Sequence, residues 1–214
     1  MTNGVECYFN NTENENFIDE FDVKMVYYYI TSKINFKLNS NVLSLGCGNL
    51  EFEKELSKNR PDLKIYGVDF IDKLKYFKGC FKNIYVVKKN ILEIDNNSFE
   101  NKFDVVYSFS VLQYLSDLDI LNLNRQLLKL INDDGLIYHF DIPDKRKKYI
   151  SRYNNIINSG KTVFSIFNGR EDFNDLFSRW IDIRIFKKIK NASISIIYPS
   201  FKYDRFEVKI EKNT

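Results

Sequence analysis

From Asn41 to Phe140 the chain repeats one pattern: a short apolar run, a turn, then a stretch with helical spacing. Asn41 to Leu45 is an apolar run ending in Gly46-Cys47-Gly48, and Glu51 to Lys58 reads as a helix that Pro61 helps to end. Lys64 to Asp69 alternates as a strand, Ile71 to Lys78 reads as helical, and Ile84 to Lys88 is a third strand leading into Asn90. Phe103 to Phe109 gives a fourth strand and Leu118 to Ile131 a helix, after which Asp133-Asp134-Gly135 turns the chain into a fifth strand, Leu136 to Phe140. Strands that alternate with helices in this way build a parallel sheet covered on both faces, so the expected fold is α/β and doubly wound.

The 214 residues suit one domain with an elaborated end better than two cores. Phe17 to Ile34 spaces Phe17, Phe21, Met25, Tyr28 and Tyr29 by three and four, which predicts a helix burying that stripe. Beyond Pro143 the pattern weakens. Helices are expected over Lys145 to Asn158 and Glu171 to Trp180, and strand-like runs over Ile181 to Phe186, Ile194 to Tyr198 and Phe206 to Ile210. Two of those runs could close the sheet antiparallel.

Charge and cysteine content narrow the function classes. The 32 basic and 29 acidic residues are spread along the chain for a net +3, too weak a field to make nucleic acid the expected partner. Three cysteines, Cys7, Cys47 and Cys80, lack paired metal spacing and an even count, which points to a reducing cytoplasm and to no metal site. No apolar run approaches the roughly 18 residues of a membrane span.

In an open α/β sheet the ligand lies beyond the carboxyl ends of the strands. Those ends are Gly46-Cys47-Gly48-Asn49, Asp69-Phe70, Asn90-Ile91, Ser108-Phe109-Ser110 and His139 to Asp141. Gly46 and Gly48 permit a backbone that a nucleotide-like cofactor can touch, and Asp69, a carboxylate ending the second strand, can accept both hydroxyls of a ribose. The third glycine of a dinucleotide fingerprint is absent, and Glu51 stands where a pyrophosphate would sit, with Glu53 and Glu55 behind it. A cofactor with no phosphate and a positive charge suits this turn, and a nicotinamide dinucleotide does not.

These residues resemble a known family. Asn41-Val-Leu-Ser-Leu-Gly-Cys-Gly-Asn49 is similar to the first motif of class I S-adenosylmethionine-dependent methyltransferases, and Ile65-Tyr-Gly-Val-Asp69 to the second. Phe103 to Leu115 resembles the fourth, and Leu127 to Ile137 the entry to the fifth strand. The resemblance covers roughly residues 17 to 141 and implies a Rossmann-like, mostly parallel sheet of seven strands. Residues 1–40 would then form a helical lid, 41–141 the cofactor core, and 142–214 the acceptor pocket and sheet-closing segment.

The resemblance further implies S-adenosyl-L-methionine as cofactor. Gly46, Cys47 and Gly48 would lie at its methionine part, Asp69 at the ribose, Phe70 and Ile91 at the adenine faces, Asn90 at the adenine amino edge and Ser108 at the methyl-bearing centre. Ser44 stands where the family usually has an acid, Leu50 where a further glycine is common, and Asn90 where aspartate is frequent.

Methyl transfer needs positioning, exclusion of water, and a base only where the acceptor holds its proton. His139, the single histidine, could serve as that base from the end of the fifth strand, or a shift of one residue would turn it into the core. Tyr114, with Tyr107, Tyr8 and Phe9, is placed to shape a lid over a sulfonium. The expected acceptor is a small molecule, a sugar or nucleotide-linked precursor of a bacterial surface polysaccharide, because Tyr198-Pro-Ser200 and Tyr203-Asp-Arg-Phe-Glu207 faintly resemble that branch. N-methylation of a small amine or amidate and a noncatalytic cofactor-binding member of the fold are the alternatives, and the protein is expected as a monomer or homodimer.

Overall fold

The structure is a computed structural model that describes residues 20–71, 77, 80–149, 179–198, 200 and 202–213. Seven strands form one sheet: β1 (Asn41–Leu45), β2 (Lys64–Asp69), β3 (Ile84–Lys88), β4 (Phe103–Phe109), β5 (Ile131–Pro143), β6 (Ala192–Ile197) and β7 (Arg205–Lys212). Their order is β3-β2-β1-β4-β5-β7-β6. The pairs joining β1 to β5 are parallel, and β7 runs antiparallel to both β5 and β6. Strand order reverses between β1 and β4, and a crevice opens at such a switch point beyond the strand carboxyl ends.

Alternation along β1 divides the core into two layers. Leu43 and Leu45 enter the layer with Val106, Leu123, Leu127 and Ile137 under helix α3 (Asp117–Leu130). Val42 enters the opposite layer with Ile30, Leu56, Ile65 and Tyr138, covered by α1 (Glu20–Lys33) and α2 (Glu51–Asn59). Both faces of the sheet are therefore dry, which is why its strands read as nearly continuous apolar runs. The start of α3 is fixed by a capping box, Ser116 accepting from the Asp119 N–H while the Asp119 carboxylate accepts from Ser116 N–H.

Three features depart from the sequence expectations. The buried stripe of α1 is Val23, Val26 and Ile30, while Met25 and Tyr28 are exposed and Tyr29 is half-buried. Val26 and Ile30 pack in one layer with Val42 of β1 and Leu56 of α2. Asp133-Asp134-Gly135 is no separate turn: β5 begins at Ile131, and residues 132–135 bulge opposite the single residue Asp104. Ile183–Lys188, expected as strand, is a 3-10 helix whose start Asp182 caps by accepting from the Arg184 N–H. At the head of the helix expected over Lys145 to Asn158, Lys145–Lys147 is a 3-10 turn that leads into helical residues 148–149.

The runs expected to close the sheet do so as β6 and β7. The helix expected over Ile71 to Lys78, the bodies of those expected over Lys145 to Asn158 and Glu171 to Trp180, and Phe17, Tyr8 and Phe9 lie outside the described residues or their side chains. No helix among the described residues is long and apolar enough to cross a membrane.

Candidate active site

The turn after β1 is held by its neighbour strand. The N–H groups of Gly46 and Cys47 both donate to the Val68 carbonyl, at 2.8 and 3.2 Å, which keeps the turn at the end of β2. Gly46 and Gly48 take φ values of +67° and +52°, a region that suits glycine. Their surroundings differ. A Cβ on Gly46 would lie 2.5 Å from Val111 Cγ2, whereas one on Gly48 would meet nothing within 4 Å. The space in front of Gly48 is open, and the backbone there can be approached.

Leu50, where the resemblance favours glycine, is also left-handed at φ +62° and is wholly buried. Burial of its side chain, worth roughly 1.5–3 kcal/mol, offsets the roughly 1–2 kcal/mol that this conformation costs an L-residue.

Two buried carboxylates flank the turn. Asp69, at the end of β2, accepts from Gly48 N–H at 2.9 Å and from Ile71 N–H at 3.2 Å, leaving further lone pairs on both oxygens. Glu53, on α2, accepts from Ser44 Oγ and from the Tyr107 hydroxyl, each at 2.5 Å. The acid missing at position 44 is thus supplied from the helix, directly above the serine. Burial pushes both carboxyls above their ordinary pKa, and Asp69 adds to the rise at Glu53. Among the described residues no basic side chain pairs with either, and neighbouring Lys54 is bound to Glu51 at 2.8 Å. Two acids held out of water without a cation form a site that favours a positively charged ligand.

The remaining expected residues fall unevenly. Asn90 follows β3 and its side chain accepts from Leu92 N–H at 3.1 Å, capping the 3-10 turn Ile91–Glu93. Ile91 is buried in the core and not open to the crevice, whereas Phe70 is half-buried. Cys47 is half-buried at the turn itself, its thiol pushed well above its ordinary pKa by burial and by Glu53. Tyr114 is half-buried on the 3-10 turn Leu112–Tyr114 just past β4, and Tyr107 points back into the core toward Glu53.

His139 and Ser108 do not face the crevice. Both are fully buried on the α3 side of the sheet, where Ser108 Oγ and His139 Nδ1 lie 2.7 Å apart. His139 Nε2 lies 3.0 Å from Asn124 Oδ1, and the Asn124 amide donates to the Ile120 carbonyl, so the ring donates from Nε2 and accepts at Nδ1. Burial lowers its pKa to about 3. A histidine with both nitrogens occupied, kept neutral and out of reach, is a core group, and this replaces the general-base expectation. Ser108 spends its hydroxyl on that ring and is likewise corrected as a cofactor contact.

Beside the crevice lies a polar group that motif reading did not assemble. β5 bulges where Phe140 and Asp141 oppose the single residue Glu207 of β7, and Asp141 takes φ +55°. Ser110, at φ +57°, donates to Asp141 Oδ2. Arg205 reaches in from the start of β7 and donates from Nη1 to Gln113 Oε1 at 2.8 Å. The signal available in the sequence was position, since Ser110 and Asp141 both fall in the expected strand-end segments; the contribution of Arg205 needed the antiparallel closure.

This fold and turn are those of a methyl-transfer class, and comparison with known proteins agrees. A family model described as a methyltransferase domain matches residues 26–179, and the chain belongs to that family, whose class I members use S-adenosylmethionine. It is 28% identical over 96 residues to a malonyl-[acyl-carrier protein] O-methyltransferase of Bacillus cereus, a match spanning 45% of this chain and 35% of that relative. The chain thus matches about a third of the length of its curated relative. Among solved structures it is similar to magnesium protoporphyrin IX methyltransferase from Synechocystis PCC 6803 with bound SAH, at TM-score 0.65 and 13% identity over 98% of both chains. The methyltransferase SibL in its apo form gives TM-score 0.61 at 12% identity, covering 89% of this chain and 55% of the other.

Proposed function

We propose that this chain transfers the methyl group of S-adenosylmethionine to a hydroxyl of a small acceptor, a sugar or nucleotide-linked glycan precursor. The observation that carries the reading is the open face of Gly48 at a turn with two buried carboxylates, Asp69 and Glu53, that pair with no cation among the described residues. S-adenosylmethionine, when bound, supplies an electrophilic methyl on a positively charged sulfur.

The residues proposed to hold it are the turn Gly46, Cys47 and Gly48, with Asp69 at the ribose, Phe70 at an adenine face and Asn90 at the adenine edge. Glu53 balances the positive charge from beneath the turn. Tyr114 stands at the acceptor side. O-methylation accords with the named activity of the Bacillus cereus relative, and the glycan class with the tail segments Tyr198 to Ser200 and Tyr203 to Glu207. The odd cysteine count supports work in a reducing cytoplasm.

Calorimetry with S-adenosylmethionine, S-adenosylhomocysteine and NAD tests the cofactor. A panel of nucleotide-linked sugars and small amines, with methyl-labelled cofactor, tests the acceptor. Binding of both sulfur ligands and label in a sugar support the reading. Binding of NAD alone removes it, label in amines alone shifts it to N-methylation, and binding without transfer to any acceptor favours a noncatalytic role.

A further inference from the structure

The bulge in β5 builds a second feature beside the cofactor turn. Asp141 is 4% exposed, and among the described residues neither its Oδ1 nor the buried Nε of Arg205 has a hydrogen-bond partner. The two atoms lie 3.8 Å apart, too far for a hydrogen bond yet close enough for one oxygen atom to reach both. Each side chain is fixed by its other atoms. Ser110 holds Asp141 Oδ2, while Gln113 and, at 3.4 Å, the Asp141 carbonyl hold Arg205 Nη1. Asp204, the nearest further charge, is 3.9 Å from Arg205 Nε.

Buried polar groups without partners are rare in folded proteins and need a reason. Here they coincide with left-handed backbone at two non-glycine residues, Ser110 and Asp141, whose conformations persist only where the surroundings impose them. Ser110 follows the carboxyl end of β4 and Asp141 lies in the last three residues of β5, so both stand near the strand ends where a ligand lies in this fold.

We infer that Asp141 and Arg205 form the seat for the acceptor hydroxyl, which donates to Asp141 Oδ1 and accepts from Arg205 Nε–H. A hydroxyl both donates and accepts; an ammonium offers nothing to the guanidinium, and a carboxylate is repelled by Asp141. The inference rests on the methyltransferase reading. In the transfer, the acceptor oxygen forms a bond to the methyl carbon as the carbon–sulfur bond breaks, and the hydroxyl proton passes to Asp141 Oδ1. S-adenosylhomocysteine and the methyl ether leave, and Asp141 returns its proton to water.

The test uses the full chain, S-adenosylhomocysteine, and glycerol as hydroxyl probe. A crystal structure of the S-adenosylhomocysteine complex grown with glycerol is expected to show an oxygen atom, of glycerol or water, within about 3.2 Å of both Asp141 Oδ1 and Arg205 Nε. Asp141→Asn is expected to keep the cofactor dissociation constant within about twofold, because Asp141 is assigned to the acceptor and not to the cofactor. Direct contact of Asp141 with Arg205, with nothing between, overturns the inference. So does a cofactor dissociation constant for Asp141→Asn outside that twofold range. Failure of the unaltered protein to bind S-adenosylhomocysteine is a separate result, which removes the methyltransferase reading itself.

Discussion

Gly46 and Gly48 share a left-handed backbone but should respond to alanine in different ways. At Gly46 the new methyl group would sit 2.5 Å from Val111 Cγ2. Val111 is buried and β-branched, so it has little freedom to turn away. The left-handed conformation costs an alanine about 1–2 kcal/mol, and overpacking adds about 1–3 kcal/mol. Gly46→Ala should therefore lose about 2–5 kcal/mol of stability. Gly48→Ala carries only the backbone cost of about 1–2 kcal/mol, because its methyl would meet nothing within 4 Å. That methyl instead occupies the space assigned to the cofactor. Urea denaturation of both variants, with and without S-adenosylmethionine, separates the two effects. Gly46→Ala should shift the midpoint strongly without ligand, and Val111→Ala in the same chain should restore part of the loss. Gly48→Ala should shift it mildly yet lose most of the stabilisation the ligand confers on the unaltered protein. Equal ligand-free losses in the two variants, or full ligand stabilisation of Gly48→Ala, would refute the assignment of the open side.

His139→Gln should leave cofactor affinity intact and destabilise the fold by about 1–3 kcal/mol, as buried groups of Ser108 and Asn124 lose their partner; loss of turnover with unchanged stability would restore the base role. The folded protein holds this ring neutral with a pKa of about 3, while the unfolded chain takes up the proton near 6.5, so its stabilising contribution is full above 6.5 and is lost progressively as pH falls toward 3. The acid limb of stability against pH should be shallower in the glutamine variant, and an unchanged limb counts against this burial. Glu53 and Asp69 have raised pKa values in the free protein, and a bound cation lowers them; binding then releases protons, and cofactor affinity should rise with pH, less so in Glu53→Gln. Calorimetry in buffers of different ionisation enthalpy measures that release, with Cys47 and Tyr107 as the other titratable groups facing Glu53. Leu50→Gly removes backbone strain but also a buried side chain, and should cost about 1–3 kcal/mol net in a thermal melt; a stabilised variant would mean that strain dominates.

Much of the cofactor half was legible because its signals are local. Strands β1 to β4, the glycine turn and the acid at the end of β2 lie in short segments whose period and turn residues agree. What sequence could not carry was the effect of partners distant along the chain. The α1 stripe was misread because large aromatics mark amphipathicity but do not say which of them fits under a neighbour, and Val23, Val26 and Ile30 fit. His139 and Ser108 are paired neighbours on β5 and β4, and because both faces of the sheet are apolar no local pattern says which face they share. Asp141 and Arg205 lie 64 residues apart and meet only because β7 runs back along β5. Glu53 was read only as a charge behind Glu51 that disfavours a pyrophosphate, yet the helix turns it inward over Ser44.

A crystal structure of the protein with S-adenosylhomocysteine is the most direct trial of the cofactor site. Both ribose hydroxyls should lie within hydrogen-bond distance of the Asp69 carboxylate, and the amino-acid tail should rest against the open side of Gly48 above Glu53. A ligand seated elsewhere, or Asp69 keeping only its bonds to Gly48 and Ile71 while the ribose faces solvent, would contradict it.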